Sequence, residues 1–181
     1  MTKIINLFAG PSAGKSSVAG SLLSELKKRH IPADAPYEFP KVLAWDKNYP
    51  AIKDQLYVIG NQHRGISRSY GNVDYIIVDS PILLSLIYKN FYEEEPIYPG
   101  SFYDETFDNF IISLHKKYDN LNIFLERDEE RFEDEGRYQN LEESKFIDQK
   151  LHQLLQENDI KYHTVHVDLA VNKILELLEI K

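Results

Sequence analysis

The stretch INLFAGPSAGKSSVAG, residues 5–20, runs from an apolar segment through small residues to Lys15 and Ser16 and then into a helical pattern. Lys3 to Phe8 reads as a buried strand. Ser17 to Arg29 reads as a helix with Val18, Leu22, Leu23 and Leu26 on one face. A tight turn between two such elements aims successive backbone N–H groups into one concavity, and the helix N-terminus adds partial positive charge. The predicted object is a phosphate cradle.

Against the pattern G-x-x-x-x-G-K-[ST], residues 9–16 read A-G-P-S-A-G-K-S. Gly14, Lys15 and Ser16 stand in place, and Ala9 occupies the position of the first glycine, with Gly10 directly after it. Gly10, Ser12, Ala13, Gly14, Lys15, Ser16 and Ser17 are therefore the candidate nucleotide-binding residues; Pro11 offers no N–H. In ATP or GTP, Lys15 would reach the β- and γ-phosphates, and the Ser16 hydroxyl would face Mg²⁺. VDYIIVDS, residues 73–80, is the clearest strand after the first and ends in Asp79. A carboxylate there can hold the Mg²⁺ shell, making Ser16 and Asp79 the candidate metal residues; Asp79 can equally cap a helix beginning at Pro81.

Working outward, strand-length apolar runs alternate with helix-length periodic segments, the pattern of a parallel sheet covered by helices. A weak second strand is expected to end near PYEFPK, residues 36–41, followed by a helical pattern from Ala51 to Gly71. PILLSLIYK continues as helix, and Tyr103, Phe107, Phe110 and Leu114 mark another. LNIFLE is the fourth strand, residues 127–141 a charged connection, 142–158 a helix, KYHTVHVD the last strand and 169–178 the closing helix. The expectation is an α/β three-layer fold, a five-stranded parallel sheet with helices on both faces, forming a single domain over residues 1–181.

With 181 residues, 43% of them hydrophobic, the chain suffices for one sizeable core. It contains no cysteine, which excludes disulfides, thiolate metal sites and a Cys nucleophile. No apolar run reaches membrane-spanning length and no signal peptide is recognisable, so a cytoplasmic protein is expected. Its net charge of −8 argues against an extended basic surface for nucleic acid.

Two further features bear on what receives the phosphate. Glu38, at the end of the second strand, can accept a proton from an acceptor hydroxyl, with Asp34 the less favoured alternative. The segment ERDEERFEDEGRYQNLEES carries Arg127, Arg131 and Arg137, with Gly136 as a pivot, where a small kinase would close an Arg-bearing lid over the transferring group. Arg127 and Arg137 are the preferred pair. Arg64 and Arg68 share a helix face, and Trp45, Tyr92, Tyr98, Phe102 and Tyr103 are candidates for stacking a base. His163 and His166 point to opposite faces of one strand, which argues against a metal site.

The combination of AGPSAGKSS, YEFPKVLAW, QLYVIGNQHR, VDYIIVDSP and GRYQNLEE resembles the small AAA-like P-loop kinases common in phages. That family is itself similar to the nicotinamide riboside kinase domain of the bifunctional NAD-synthesis regulator. The resemblance spans roughly residues 3–168 and implies ATP with Mg²⁺ and phosphoryl transfer to a hydroxyl of a nucleoside- or nucleotide-like acceptor. It implies Glu38 as the second-strand carboxylate, and Gln62, His63 and Arg64 as part of a substrate-side helix. By the same resemblance the acceptor is, in one alternative, a hydroxymethylpyrimidine within DNA, and the location the host cytoplasm of a phage. A third reading is a P-loop ATPase or switch that hands phosphate only to water.

Overall fold

The computed structural model describes residues 1–91, 104–128 and 140–180. The five strands are β1 (Lys3–Phe8), β2 (Ala33–Asp34), β3 (Tyr75–Val78), β4 (Asp119–Glu126) and β5 (His163–His166). They form one sheet in the order β2-β3-β1-β4-β5, every neighbouring pair parallel. The helices between them are α1 (Lys15–Lys28), α2 (Phe39–Trp45), α3 (Tyr49–Lys53), α4 (Gln55–Ser69), α5 (Leu84–Phe91), α6 (Glu105–Lys116) and α7 (Leu141–Glu157). A single 3-10 turn at Val167–Leu169 leads into α8 (Ala170–Leu177).

Strand alternation divides the core between the two faces of the sheet. Ile4, Phe8, Ile76, Val78 and Phe124 pack with Ile59 and Ile66 of α4, Ile111 of α6 and Leu151 and Leu155 of α7. Ile5, Leu7, Ile77, Ile123 and Leu125 pack with Leu22 and Leu26 of α1 and Ile174 of α8. Burying each such side chain contributes about 1.5–3 kcal/mol. On the first face, Asn6 interrupts the apolar pattern but donates to Asn120 at 2.9 Å and Asn122 at 3.0 Å, so the buried amide is satisfied. The chain crosses from β1 to β2 on one side of the sheet and from β3 to β4 on the other. The carboxyl ends of β1 and β3 therefore flank a topological switch point, where open α/β sheets place ligands.

The structure refines several expectations. The second strand is only Ala33–Asp34; Pro36 and Pro40 end it before the predicted segment, and Glu38 is instead the N-cap residue of α2. The long helix expected from Ala51 divides at Asp54, whose carboxylate accepts from the Tyr57 N–H at 3.0 Å and starts α4 afresh. In α6 the buried stripe is Phe107, Ile111 and His115, while Phe110 is exposed. Helix α7 begins at Leu141 behind a capping box of Asn140 and Glu143. Most of the expected lid, with Arg131, Gly136 and Arg137, lies outside the described residues, as do Tyr92, Tyr98, Phe102 and Tyr103. No helix among the described residues is long and apolar enough to cross a membrane.

Buried beneath β1, His115 packs edge-on against Phe8, and its Nε2 has no hydrogen-bond partner. Burial, helped by Lys116, lowers its pKa to about 4. The unfolded imidazole takes up a proton near 6.5 and the folded one only near 4, so stability falls as pH drops through that window. His63 and His152 are lowered by burial as well and act in the same direction. Replacing His115→Leu is expected to remove one proton's worth of this dependence. Urea unfolding at pH 7 and pH 5 should show the parent losing about 1–2 kcal/mol more than the variant.

Candidate active site

Strand β1 delivers its carboxyl end into the loop of residues 9–14, and α1 begins at Lys15. The loop turns through two residues of positive φ, Ser12 at 57° and Gly14 at 79°. Gly14 is the N-cap of α1, and a Cβ built on it would lie 2.8 Å from Val167 Cγ2. Glycine is required there by backbone conformation and by space. Gly10 is required by space alone: a Cβ would stand 2.5 Å from the Ser144 carbonyl oxygen of α7. Ala9, in the position where the motif has its first glycine, is instead buried in the core.

Lys15 reaches back under the loop, its Nζ donating to the Ala9 carbonyl at 2.8 Å and the Gly10 carbonyl at 2.7 Å. Withdrawal from water lowers its pKa to about 8, against the opposing pull of Glu38, Asp79 and Asp148, while Arg127 lowers it further. At neutral pH the ammonium is retained. The result is a cation aimed at the concavity of the loop and surrounded by three carboxylates.

A cavity of about 690 Å³ opens over this loop. Its wall comprises Pro11 to Val18, then Val167, Asp168 and Val171 beyond β5, and Gln55, Val58, Gln62, Ser80, Ser85 and Tyr88 from α4 and the β3–α5 region. Gln62 is fixed by donation to the Ser80 carbonyl at 3.1 Å and hydroxyl at 2.8 Å. A smaller cavity of about 210 Å³ is bordered by Ser16, Asp79, Glu38, Lys41 and Trp45. Ser16, Glu38, Lys41 and Trp45 border both, so they stand between the two spaces.

Ser16 and Asp79 share the smaller cavity, and both present hard oxygen donors suited to Mg²⁺. No cluster of three or more His, Cys, Asp or Glu side chains suited to a metal occurs among the described residues. Mg²⁺ usually takes one or two protein carboxylates together with substrate phosphates and water. The donor set fits the ion.

Of the remaining expected residues, Trp45 is at the cavity edge, two-thirds exposed, with Lys41 Nζ 5.3 Å from its ring centroid. His63 turns away from the cavity, its Nε2 2.7 Å from the Tyr118 hydroxyl. Arg64 and Arg68 are exposed on α4 and border neither cavity; the helix brings Gln62 and Gln55 there instead. Asp34 is engaged by the Ser69 hydroxyl and the Ala35 N–H, away from both spaces.

Arg127 departs furthest from expectation. It is nearly buried and bonded to Asp148, Pro11 and Ser144 rather than directed into the cavity. Asp148 escaped sequence reasoning. The available signal was an acid within the stripe Ser144, Ile147, Leu151 and Leu155 that α7 otherwise buries.

This parallel order, with a glycine-bearing loop leaving its central strand for α1, is the P-loop kinase fold. The family model described as an AAA domain matches residues 4–170, and the chain belongs to that family. A solved deoxyadenosine kinase from M. mycoides, with the products dCMP and dCDP bound, is similar at a TM-score of 0.62 and 18% identity, covering 97% of this chain and 96% of that one. The NadR protein in complex with NR is similar at a TM-score of 0.75 and 17% identity; the match covers 99% of this chain but 52% of NadR, about half its length. No curated protein matches the chain.

Gly14→Ala combines a left-handed residue with a clash and is expected to cost about 1–2 kcal/mol or more in urea unfolding. Gly20→Ala, in α1 with no atom near the added methyl, should by contrast be neutral or slightly stabilising.

Proposed function

We propose that the protein transfers the γ-phosphoryl group of ATP to a hydroxyl of a nucleoside-like acceptor. The observation that carries this reading is the continuous cavity in which the P-loop and the polar wall of Gln55, Gln62, Ser80 and Ser85 face one space, with Glu38 on its border. A hydrolase or switch needs the first half of that space. The second half, where Ala44, Ile52, Val58 and Leu84 stand beside those polar groups, has the make-up of a small-molecule site. The similarity to a deoxyadenosine kinase and to NadR supports the same direction at the level of fold.

In this reading the backbone N–H groups of Ser12 to Ser17 surround the phosphates, and Lys15 moves from its loop carbonyls onto the β- and γ-oxygens. Ser16 and Asp79 would hold Mg²⁺, which when bound would neutralise charge on the phosphate oxygens. Glu38 accepts the hydroxyl proton as the acceptor oxygen bonds to the γ-phosphorus and the bond to the β-phosphate bridging oxygen breaks, releasing ADP. Arg137 is proposed to steady the transferring group. Val167, Asp168 and Val171 would lie along the nucleotide base, and Gln55 and Gln62 along the acceptor. Catalysis is then chiefly positioning and electrostatic preorganisation.

Glu38→Gln is expected to lower acceptor-dependent turnover by roughly 10²–10⁴-fold while leaving MgATP affinity unchanged, measured by transfer from γ-labelled ATP and by calorimetry. The acceptor panel should hold nucleosides, nucleoside monophosphates and a hydroxymethylpyrimidine oligonucleotide. Label on the oligonucleotide alone moves the assignment to DNA, and hydrolysis indifferent to every acceptor moves it to a nucleotide-dependent switch. Unchanged turnover in the variant removes Glu38 as the base.

A further inference from the structure

The start of the phosphate loop is gripped from outside the cavity by an ion pair that the chemistry above does not use. Asp148 of α7 accepts the Gly10 N–H on Oδ1 at 2.5 Å. Its Oδ2 accepts from Arg127 Nε at 2.9 Å and Nη2 at 2.5 Å. Arg127, in the residue after β4, also donates through Nη1 to the Pro11 carbonyl at 3.1 Å and through Nη2 to the Ser144 carbonyl at 3.3 Å. The Arg127 side chain is 6% exposed and that of Asp148 is 19% exposed. The two peptide groups that flank the Gly10–Pro11 bond are thus held by one side-chain pair, the N–H of Gly10 by the acid and the carbonyl of Pro11 by the base.

On the opposite side of the same turn, Lys15 holds the Ala9 and Gly10 carbonyls. A lysine that leaves these carbonyls for phosphate oxygens gives up two of the bonds that shape the turn. The outer bonds to Gly10 and Pro11 come from side chains that do not line the cavity and make no use of Lys15, so exchange of the inner bonds does not require their loss. With the guanidinium committed to three partners and directed away from the cavity, Arg127 is poorly placed to meet the transferring phosphoryl group itself.

We propose that Asp148 and Arg127 are positioning residues of the nucleotide site, clamping Gly10 and Pro11 so that the loop keeps its binding shape when Lys15 passes from the loop carbonyls to the phosphates. The proposal rests on the nucleotide-binding part of the function proposed above. It assigns a task to α7, an element that contributes nothing to the cavity wall.

The test is calorimetric titration with MgATP of the parent and of Asp148→Ala, Arg127→Ala, the double variant and Asp148→Asn, beside the melting temperature of each without nucleotide. Each alanine variant is expected to bind MgATP roughly ten- to a hundredfold more weakly. The double variant should lose much less than the product of the two, because either change opens the same clamp. Asp148→Asn, whose Oδ1 still accepts the Gly10 N–H, should recover part of the loss, which a general weakening of α7 would not produce.

Alanine variants that melt earlier yet bind MgATP as the parent does would overturn the proposal and leave the pair a structural brace. Should the alanine variants not fold, Asp148→Asn and Arg127→Lys carry the test, and parental affinity in both overturns it equally. A parent that binds no MgATP defeats the proposed function and this inference together. A parent that binds, with variants that match it, defeats the clamp alone.

Discussion

The contact of the Gly10 N–H with the Asp148 carboxylate, 2.5 Å long, sets how near α7 can lie to the end of β1. Everything on the loop side follows from that approach. A side chain at position 10 would collide with the Ser144 carbonyl and the Arg127 guanidinium, so the sequence needs glycine there for reasons of space. The ion pair behind the contact is not a large source of stability in itself, because removing two charges from water nearly cancels their attraction. Its bond to Gly10 changes the accounting: it satisfies the main-chain N–H of a buried residue. Losing one member costs about 3–5 kcal/mol, since the other is left charged and buried.

The same geometry explains how an acidic chain presents a site for a polyanion. A net charge of −8 repels phosphate at long range, but at physiological ionic strength that field decays over about 8 Å. Within the loop the relevant charges are local: the amide dipoles at the start of α1, and Lys15 held among Glu38, Asp79 and Asp148. Those carboxylates keep the ammonium protonated despite its withdrawal from water. The site is thus tuned by neighbours a few ångströms away, and composition records little of it.

How much the sequence discloses varies with the range of the interaction that decides each element. The β1–loop–α1 unit was legible because its period, its small residues and its Lys-Ser pair are contiguous. β3 and β4 were legible because buried parallel strands write long apolar runs, and the Asp at the end of β3 marks its own position. β2 was not: two residues pair with Tyr75 and Ile76, too few for a periodic signal, and the two prolines that follow decide its end. Phe110 has the spacing of a buried residue but emerges exposed, because the face of α6 turned to the core runs through Phe107, Ile111 and His115. Arg127 shows the deeper limit. Its position after a strand was legible, but its partner lies 21 residues on, and only the packing of α7 against the loop tells a bound guanidinium from a free one.

The two halves of the cavity differ in how firmly the core supports them. Helices α1 and α7, on the nucleotide side, each bury four side chains, among them Leu22 and Leu26, and Leu151 and Leu155. On the side of Glu38, α2 buries Leu43 alone and α3 buries none, and the segment carries exposed Tyr37, Trp45 and Tyr49. Local opening costs least where few apolar contacts must be given up, so shape change at low cost is concentrated at α2 and α3. The proposed phosphoryl transfer asks for that division. The phosphates of one nucleotide would need a preformed cradle, whereas an acceptor would have to enter and leave past the proposed base. Glu38, the N-cap residue of α2, belongs to the yielding half, whereas the loop bonded by Asp148 and Arg127 belongs to the firm one; on the proposed reading the base therefore stands on an element that can shift at little cost to the nucleotide cradle.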